Sequence, residues 1–438
     1  MLKRRFYFVL FCMEALNGAT DLSRIKAGLY FGSTVLVKTL AGLLVIKVLA
    51  WKLGPEGFGL LGQLMTLVAI VGMLAGGGIT NGLIKVLAKA PLGGAEGKVW
   101  YASAFTLSAL VSGAVAVLLF ALSSTLSSYF LPGVGALLFT VLAVSQVVIA
   151  YGNLPLAEAS SRGDSRTFSL ITVAGTLVGA GLVIMAVWYR GFIGATYAVV
   201  LMPAMVGLCA VFYAVVSRRV LLQACRWSFE RGRMKLLMSF SMVTLIGALS
   251  VPLAQLYMRD ALGASQGWEQ VGQWQGVIKL SDVYMQFMGV VLINFVLPRI
   301  AAAADKRQVF KEWLGSVSAL VVVLLSGFAV FYFLRNFLII LVFSSDFLPM
   351  TQLLVPQMAG DVLRTIAASI SYLFMARGIV RVSFVFELLQ GVVLVCAFSM
   401  LFDNTGVMAP VYAHLFTYLS LTIVMAFGLL IWMKRKPS

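Results

Sequence analysis

The stretch that decides the fold, residues 27–54, reads AGLYFGSTVLVKTLAGLLVIKVLAWKLG. It is long and apolar enough to cross a bilayer as one helix, yet Lys38 lies near its middle and Lys47 lies nearer its outer end. A lysine at a lipid-facing helix centre costs about 2.5 to 3.5 kcal/mol on insertion scales, so such residues usually face protein or a watery cavity. The stretch therefore predicts a membrane helix beside a cationic cavity, which needs an anionic ligand.

The composition of the whole chain is also that of a membrane protein. Hydrophobic residues make up 61% of the 438 residues, charged residues make up 11%, and the mean hydropathy is +0.99, whereas soluble domains carry about 25% charge. Each apolar span is long enough for a transmembrane helix of about 20 residues. The twelve spans lie at 27–53, 58–84, 99–124, 134–157, 168–189, 192–217, 236–258, 271–298, 310–334, 348–376, 380–402 and 407–433. We predict an all-α polytopic membrane protein with twelve transmembrane helices.

Basic residues fall mainly on one side of the predicted membrane. With both termini placed in the cytoplasm, the cytoplasmic connections hold 25 lysines and arginines. The outer connections hold only Lys52, Arg190, Arg259 and Arg335. This asymmetry predicts a cytoplasmic-membrane protein with both termini inside. It also explains the net charge of +17, so we predict contact with membrane lipids and no binding of nucleic acid.

An internal repeat at an offset of 213 residues relates two halves of six spans each. It matches Gly59, Gly76, Asn81 and Ala88 with Gly272, Gly289, Asn294 and Ala301. We predict two lobes around a central cavity, related by an axis along the membrane normal. The predicted parts are a basic cytoplasmic leader at 1–26, an N-terminal lobe at 27–217, a basic linker at 218–235 and a C-terminal lobe at 236–438. Translation from Met13 instead of Met1 is left open.

The connections between spans leave no room for a soluble catalytic or nucleotide-binding domain, and no GxxxxGK[ST] motif occurs. The four cysteines show no metal-binding spacing. We therefore expect a transporter without a cofactor or metal, rather than an enzyme.

Charged residues inside the spans are few, and they are the candidates for function: Lys38, Lys47, Lys279, Asp282, Asp361, Arg364 and Glu387. The i,i+3 spacing of Lys279 with Asp282, and of Asp361 with Arg364, allows each pair to neutralise itself on one helix face. This structural alternative stays open beside a role in binding. The single histidine, His414, is expected to be a packing residue.

Several short stretches carry a family resemblance. They are STVLVK at 33–38, AGLLV at 41–45, LGP at 53–55, LAG at 74–76, AYGNL at 150–154, GQWQGV at 272–277, SDVYMQF at 281–287 and GDVLR at 360–364. From about residue 23 to its carboxyl end, the chain resembles the Wzx-type flippases of lipid-linked oligosaccharides. These belong to the polysaccharide transport family of the multidrug/oligosaccharidyl-lipid/polysaccharide (MOP) superfamily. The leader at 1–26 departs from that pattern.

The resemblance implies a flippase with two six-helix lobes that moves an undecaprenyl-diphosphate-linked oligosaccharide to the periplasmic leaflet. The cargo would be the lipid III unit of enterobacterial common antigen or an O-antigen unit, and a polymerase and a chain-length regulator would be partners. Cations would hold the diphosphate, and sugars would lie near Asn81, Gln275 and Asn294. The implied substrate-binding set is Lys38, Lys47, Asn81, Gln275, Lys279, Asn294 and Arg364. A proton or sodium ion would couple through Asp282, Asp361 or Glu387.

Two other classes of membrane protein fit the sequence less well. An ion-coupled exporter of cationic drugs, from the same superfamily, would need exposed acids in the cavity, whereas the deepest unpaired charge here is Lys38. A glycan polymerase or ligase would need a sizeable outer loop with catalytic groups, and the outer connections are too short for one.

Overall fold

A computed structural model describes residues 22–131 and 133–434. In this part of the chain every regular element is a helix: α1 (Leu22–Gly72), α2 (Gly78–Leu87), α3 (Ala95–Ala121), α4 (Ser123–Phe130), α5 (Leu137–Ser161), α6 (Ser165–Ser217), α7 (Arg219–Ala224), α8 (Arg231–Gln266), α9 (Trp268–Val291), α10 (Leu297–Ala302), α11 (Lys306–Val342), α12 (Thr351–Ala376), α13 (Val380–Thr405) and α14 (Ala409–Lys434). The predicted leader lies outside the described residues up to position 21, and so does Met13.

Seven helical segments of the described chain are long and apolar enough to cross a membrane. Three of these segments each contain a glycine with positive φ, at Gly54 (φ 65°), Gly191 (φ 55°) and Gly406 (φ 51°). The backbone turns at this glycine, so that one segment holds two predicted spans. Each of the twelve predicted spans falls on helix over most of its length. The all-α polytopic membrane fold is therefore confirmed, and the count of twelve crossings stays a prediction.

The turns between helices gather at two ends of the bundle, which we name after one glycine each. The Gly54 end holds the turns at Gly54, 131–136, Gly191, Gly267, 343–344 and Gly406. The Gly163 end holds the turns at 88–94, 162–164, 225–230, 303–305 and 377–379. Within the described residues, the basic connections of the charge count, such as 88–94 and 225–230, lie at the Gly163 end.

The apolar core is shared by the two halves at the Gly54 end and is largely separate at the Gly163 end. The largest cluster includes Leu49 and Phe58 from the first half of the chain, together with Met258 and Phe343 from the second half. A second cluster, from Met288 to Leu429, is built only from the second half. A third cluster joins first-half residues such as Ile79 and Tyr101, with Leu237 added from α8. The two halves are thus held together mainly near the Gly54 end.

A π-helical turn interrupts each of the two helices that the sequence repeat aligned. Met73–Gly77 joins α1 to α2, and Leu292–Val296 joins α9 to α10. The two turns begin at residues 73 and 292, so they do not follow the 213-residue register of the sequence match. Such turns are rare and occur frequently at functional sites.

Candidate substrate cavity

A seam between α1 and the second half of the chain closes the Gly54 end. Its helices touch backbone to backbone at Gly59 and Gly272, two glycines that the sequence repeat matched with each other. A Cβ atom on Gly59 would lie 2.5 Å from the carbonyl oxygen of Trp268, and one on Gly272 would overlap the carbonyl oxygen of Pro55. Only glycine permits this approach. We use the name seam for this contact together with the side chains around it: Lys47, Phe58, Thr66, Arg259, Gln275, Phe343 and Phe347.

Aromatic rings and one lysine complete the seam. Phe58 packs edge-on against Phe343 and Phe347, with ring centroids 5.9 and 5.6 Å apart. The Nζ atom of Lys47 donates hydrogen bonds to the carbonyl oxygens of Ile340, at 2.7 Å, and Phe343, at 2.6 Å. These carbonyls lie at the C-terminal end of α11, where a cation is stabilised by the helix dipole. Lys47 is therefore engaged by the seam, and the structure does not bring it together with Lys38.

Arg259 is the most deeply buried cation of the seam. Its assignment to an outer connection was wrong, because α8 continues to Gln266 and the arginine side chain is 1% exposed. Nη1 donates to Thr66 Oγ1 at 2.7 Å, and Nη2 donates to Gln275 Oε1 at 2.6 Å. The Nε atom has no hydrogen-bond partner, and Arg259 forms no ion pair within the described residues. Gln275, predicted to contact sugar, is buried and is bonded to this guanidinium.

Lys38 lies on the inner face of α1. At 100° per residue it falls within about 60° of the buried residues Thr34, Ala41 and Val45. The exposed apolar side chains of Leu36, Leu40 and Leu44 lie on the opposite face of the helix. Lys38 is itself exposed, and it forms no hydrogen bond or ion pair with any residue that the structure describes. Lys38 therefore stands on the face of α1 that carries its buried residues, away from Leu36 and Leu40.

A cavity of about 380 Å³ lies in the second half of the bundle, between α9, α12 and α13. Its charged lining residues are Arg364 and Glu387. Arg364 has no ion-pair partner in the described part of the chain, and its guanidinium carbon lies 5.6 Å from the centre of the Tyr418 ring. Gln390 donates to Glu387 at 2.7 Å and accepts from Tyr418 at 2.7 Å. The structure therefore brings one predicted substrate residue and one predicted coupling residue into the same cavity.

Asp361 is the centre of a buried hydrogen-bond cluster beside this cavity. Its Oδ2 atom accepts from Ser281 at 2.6 Å and from Tyr284 at 2.5 Å, and its Oδ1 atom lies 3.0 Å from His414 Nε2. The ion pair with Arg364 that the spacing allowed is not formed among the described residues. The expectation for His414 is also corrected, because this histidine is a partner of Asp361 rather than a packing residue.

The remaining predicted residues lie apart from Asp361. Lys279 and Asp282 form the ion pair that their spacing allowed, at 3.0 Å, with Asp282 about half exposed. Asp282 lines a small polar cavity of about 30 Å³ together with Arg364 and His414. Asn294 donates to the carbonyl of Val290 in its own helix. Asn81 and Asn294 are exposed and line neither of these two cavities.

Taken together, the described interior offers cations to an anionic ligand and a buried acid to a small cation. Lys38 is exposed without an ion-pair partner among the described residues, and Arg364 lines a cavity without an ion pair, although it contacts Tyr418. A cation without an ion-pair partner is what we expect at a site whose counter-charge arrives with the ligand. No cluster of three or more His, Cys, Asp or Glu residues that could hold a metal ion occurs among the residues described.

Solved structures define the class of this fold. An inward-facing multidrug resistance MATE family transporter of the MOP superfamily superposes with a TM-score of 0.76, at 17% identity, over 91% of this chain and 96% of its own. The lipid II flippase MurJ, in an inward closed conformation, superposes with a TM-score of 0.69, at 11% identity, over 92% of this chain and 87% of its own. The protein has the fold of a MOP-superfamily transporter.

The sequence comparison is more specific. The family described as polysaccharide biosynthesis protein matches residues 48–352, and the chain belongs to this family. It is similar to the lipid III flippases of Escherichia coli (strain K12) and Shigella flexneri, each 30% identical over 423 residues that cover 94% of this chain and 100% of the relative. The family resemblance drawn from the sequence motifs is thereby confirmed. The protein is a multi-pass protein of the bacterial inner membrane.

Proposed function

We propose that the chain is a flippase that moves an undecaprenyl-diphosphate-linked oligosaccharide from the cytoplasmic to the periplasmic leaflet. It does so without making or breaking a bond. Full-length similarity to lipid III flippases supports this function. The observation that carries it is Lys38, an exposed lysine near the middle of the first predicted span, which stands on the face of α1 with the buried residues and forms no ion pair within the described chain. The diphosphate of the substrate supplies the anion that this position needs.

The proposed substrate site uses the unpaired cations. Lys38 and Arg364 hold the diphosphate, and the exposed amides of Asn81 and Asn294 contact sugars. Lys279 contributes less positive charge, since Asp282 neutralises it. Lys47 and Gln275 leave the proposed site, because their polar atoms are already bonded within the seam.

The proposed architecture has twelve crossings in two lobes, at 27–217 and 236–438, with a cytoplasmic linker at 218–235 between them. The positive charge at the Gly163 end supports a cytoplasmic location for that end and for both termini. At the same end one apolar cluster lies wholly in the second half of the chain, which supports a cavity that opens there. Transport then consists of opening the seam at the Gly54 end and closing the bundle at the Gly163 end.

Asp361 is the proposed coupling group for a proton or sodium ion. It is buried beside the Arg364 cavity and already has the neutral donors Ser281 and Tyr284, with His414 on its other oxygen. A buried carboxylate with this environment can exchange a small cation as the bundle changes its open side. Glu387, in the Arg364 cavity, and Asp282 remain second candidates.

The proposed biological setting is supported by the names of the relatives. The cargo is a lipid-linked repeat unit of the enterobacterial common antigen or O-antigen type, exported for surface polysaccharide assembly. A polymerase and a chain-length regulator that work on the exported unit are the proposed protein partners.

The test is a flipping assay in proteoliposomes with a fluorescent polyprenyl-diphosphate oligosaccharide, read by its accessibility to an external quencher. We expect the wild-type protein to flip this probe, and Lys38→Ala to slow the initial rate at least about tenfold, since a charge-assisted contact is lost. Lys52→Ala is the matched control, because Lys52 is exposed and stacks on Trp51 and Trp188 at the Gly54 end.

Two results would contradict the proposed function. One is equal rates for Lys38→Ala and wild type. The other is no crossing of any lipid-linked glycan combined with efflux of cationic dyes, which would support a drug exporter instead.

A further inference from the structure

We propose that Arg259 is a second anion site, which is hidden in the closed seam and receives the diphosphate when the Gly54 end opens. This inference rests on the proposed flippase function. Arg259 would bind the oxyanion at the stage when the Gly54 end opens, whereas the Lys38 and Arg364 site acts before that stage.

The positive charge of Arg259 is not balanced by a negative charge in contact with it. The guanidinium is 1% exposed, yet its partners are two neutral oxygens, from Thr66 and Gln275, and its Nε hydrogen is unsatisfied. The Trp274 ring centre, 5.4 Å from the guanidinium carbon, adds a cation–π attraction but no full negative charge. Asp282 interacts with Arg259 electrostatically without contacting it, and Asp282 is itself ion-paired with Lys279. A buried cation normally has an anionic partner, and here the protein does not provide one in contact.

Arg259 connects the two halves of the chain across the seam. Its Nη1 atom bonds Thr66 on α1, in the first half of the chain, and its Nη2 atom bonds Gln275 on α9, in the second half. If the halves part at the Gly54 end, Thr66 moves away with α1, and Arg259 keeps its place on α8. The guanidinium then has at least three free N–H groups facing the new opening, in a planar arrangement that suits a phosphate oxygen pair.

Lys47 shows why this role belongs to Arg259. Lys47 also bridges the seam, but its two acceptors are carbonyl oxygens at the C-terminus of α11, which carry negative partial charge. Lys47 is thus well compensated with the seam closed. An incoming anion therefore stabilises Arg259 more than Lys47, because Arg259 has less negative charge around it when the seam is closed.

The test measures binding of a fluorescent short-chain isoprenyl diphosphate to the full-length protein in detergent. Gly272→Ala biases the protein towards an open seam, because its Cβ overlaps the Pro55 carbonyl oxygen. We expect Arg259→Gln to weaken binding at least about tenfold in the Gly272→Ala background. In the otherwise wild-type background, where the seam hides Arg259, we expect less than about a twofold change.

Three further variants keep the result interpretable. Arg259→Lys retains the charge but not the planar donor pair, so we expect it to bind better than Arg259→Gln in the Gly272→Ala background. Thr66→Val removes a bond to Arg259 but leaves the cation, so we expect it to preserve binding there. Arg190→Gln is the control, because Arg190 is an exposed arginine at the same end of the bundle. Each variant is first checked for a single size-exclusion peak, and Arg259→Met, which also removes the charge, carries the comparison if Arg259→Gln does not fold.

The possible outcomes separate the two proposals. Equal effects of Arg259→Gln in the two backgrounds, with normal binding and flipping by the wild type, overturn the Arg259 site and leave the flippase function standing. No binding of the diphosphate by the wild-type protein, together with no flipping, overturns both. If Arg259→Lys folds but binds as poorly as Arg259→Gln in the open background, charge is not what the site supplies, and the inference is wrong.

Discussion

At the scale of single residues, the partners of each interior charge distinguish structural from functional groups. Lys47 is bonded to two helix-terminal carbonyls, and Lys279 is ion-paired with Asp282. Lys38 is exposed and Arg364 lines a cavity, and neither has an ion-pair partner within the described chain. Depth in the membrane alone did not separate these groups, since all four are lysines or arginines within apolar spans.

We expect Asp361→Asn to abolish the response of transport to an ion gradient. Asparagine keeps an oxygen for Ser281 and Tyr284, but it cannot take up a proton or balance a sodium ion. The measurement is the initial flipping rate in proteoliposomes, with and without an imposed proton or sodium gradient. The wild-type rate should rise with the correct gradient, and the variant rate should stay constant.

Asp403→Asn is the control for this change, because Asp403 is an exposed carboxylate near the end of α13. A full gradient response in Asp361→Asn would remove Asp361 from the coupling mechanism and leave Glu387 or Asp282 as the group to test.

The residues that sequence reasoning missed were missed for physical reasons. Arg259 directly follows a predicted span, so it looked like a loop residue, and only the continuation of α8 to Gln266 shows that it is buried. His414 had no visible partner, because Asp361 is 53 positions away and meets it only after α12 and α14 pack together. Local spacing finds pairs within one helix, such as Lys279 with Asp282, and it cannot find pairs between helices.

At the scale of elements, the seam depends on helices that approach without side chains between them. Gly59 and Gly272 are matched by the repeat, and they meet each other where the two halves cross. Small residues at helix contacts allow dense packing in membranes, where the hydrophobic effect does not drive helices together. Opening therefore has to break a few specific contacts at this crossing.

We expect Gly272→Ala to open the Gly54 end. A Cβ atom in a packed contact costs about 1 to 3 kcal/mol, and 1 kcal/mol changes an equilibrium about fivefold. A Phe347→Cys thiol, fully buried in the seam, should then react at least about fivefold faster with a membrane-impermeant maleimide than the same thiol with Gly272 intact.

Gly327→Ala is the matched control for the seam, since a Cβ atom there meets no other atom within 4 Å. Equal labelling rates in the Gly272→Ala and Gly327→Ala backgrounds would show that the glycine contact does not hold the seam closed.

The helices themselves were largely predictable, and their joints were not. Hydropathy located the twelve apolar spans, because a bilayer requires about 20 apolar residues for each crossing. The sequence separated 27–53 from 58–84, whereas the structure joins them through one left-handed glycine, Gly54. It did not foresee the π-helical turns at Met73–Gly77 and Leu292–Val296, since these arise from packing between helices rather than from local composition.

At the scale of the whole molecule, the apolar core is asymmetric between the two ends. The largest cluster joins both halves at the Gly54 end. At the Gly163 end one cluster lies wholly in the second half, and another is built from the first half with Leu237 of α8 added. We propose that such a bundle pivots about the Gly54 end, and the proposed orientation places the Gly163 end in the cytoplasm, where the substrate is made.

We expect single cysteines at the two ends to be labelled from opposite sides of the membrane. Tyr189→Cys stands at the Gly54 end, where the side chain is 86% exposed, and Lys89→Cys stands in an exposed turn at the Gly163 end. In a background without the four native cysteines, an impermeant maleimide added to spheroplasts should react with Tyr189→Cys. Lys89→Cys should react only after the membrane is opened, because positive charge favours the cytoplasmic side. The reverse pattern would invert the proposed topology.

The seam also decides where the electrical field acts. With the proposed cavity filled with water from the Gly163 end, ions in that water hold it near the cytoplasmic potential. Most of the transmembrane voltage then falls across the thin apolar layer where Phe58 meets Phe343 and Phe347. An elementary charge gains about 2.3 kcal/mol for each 100 mV it crosses, so the anionic substrate gains this energy as it passes those rings. Loading from the cytoplasm is then insensitive to voltage, and release to the outside is driven by it.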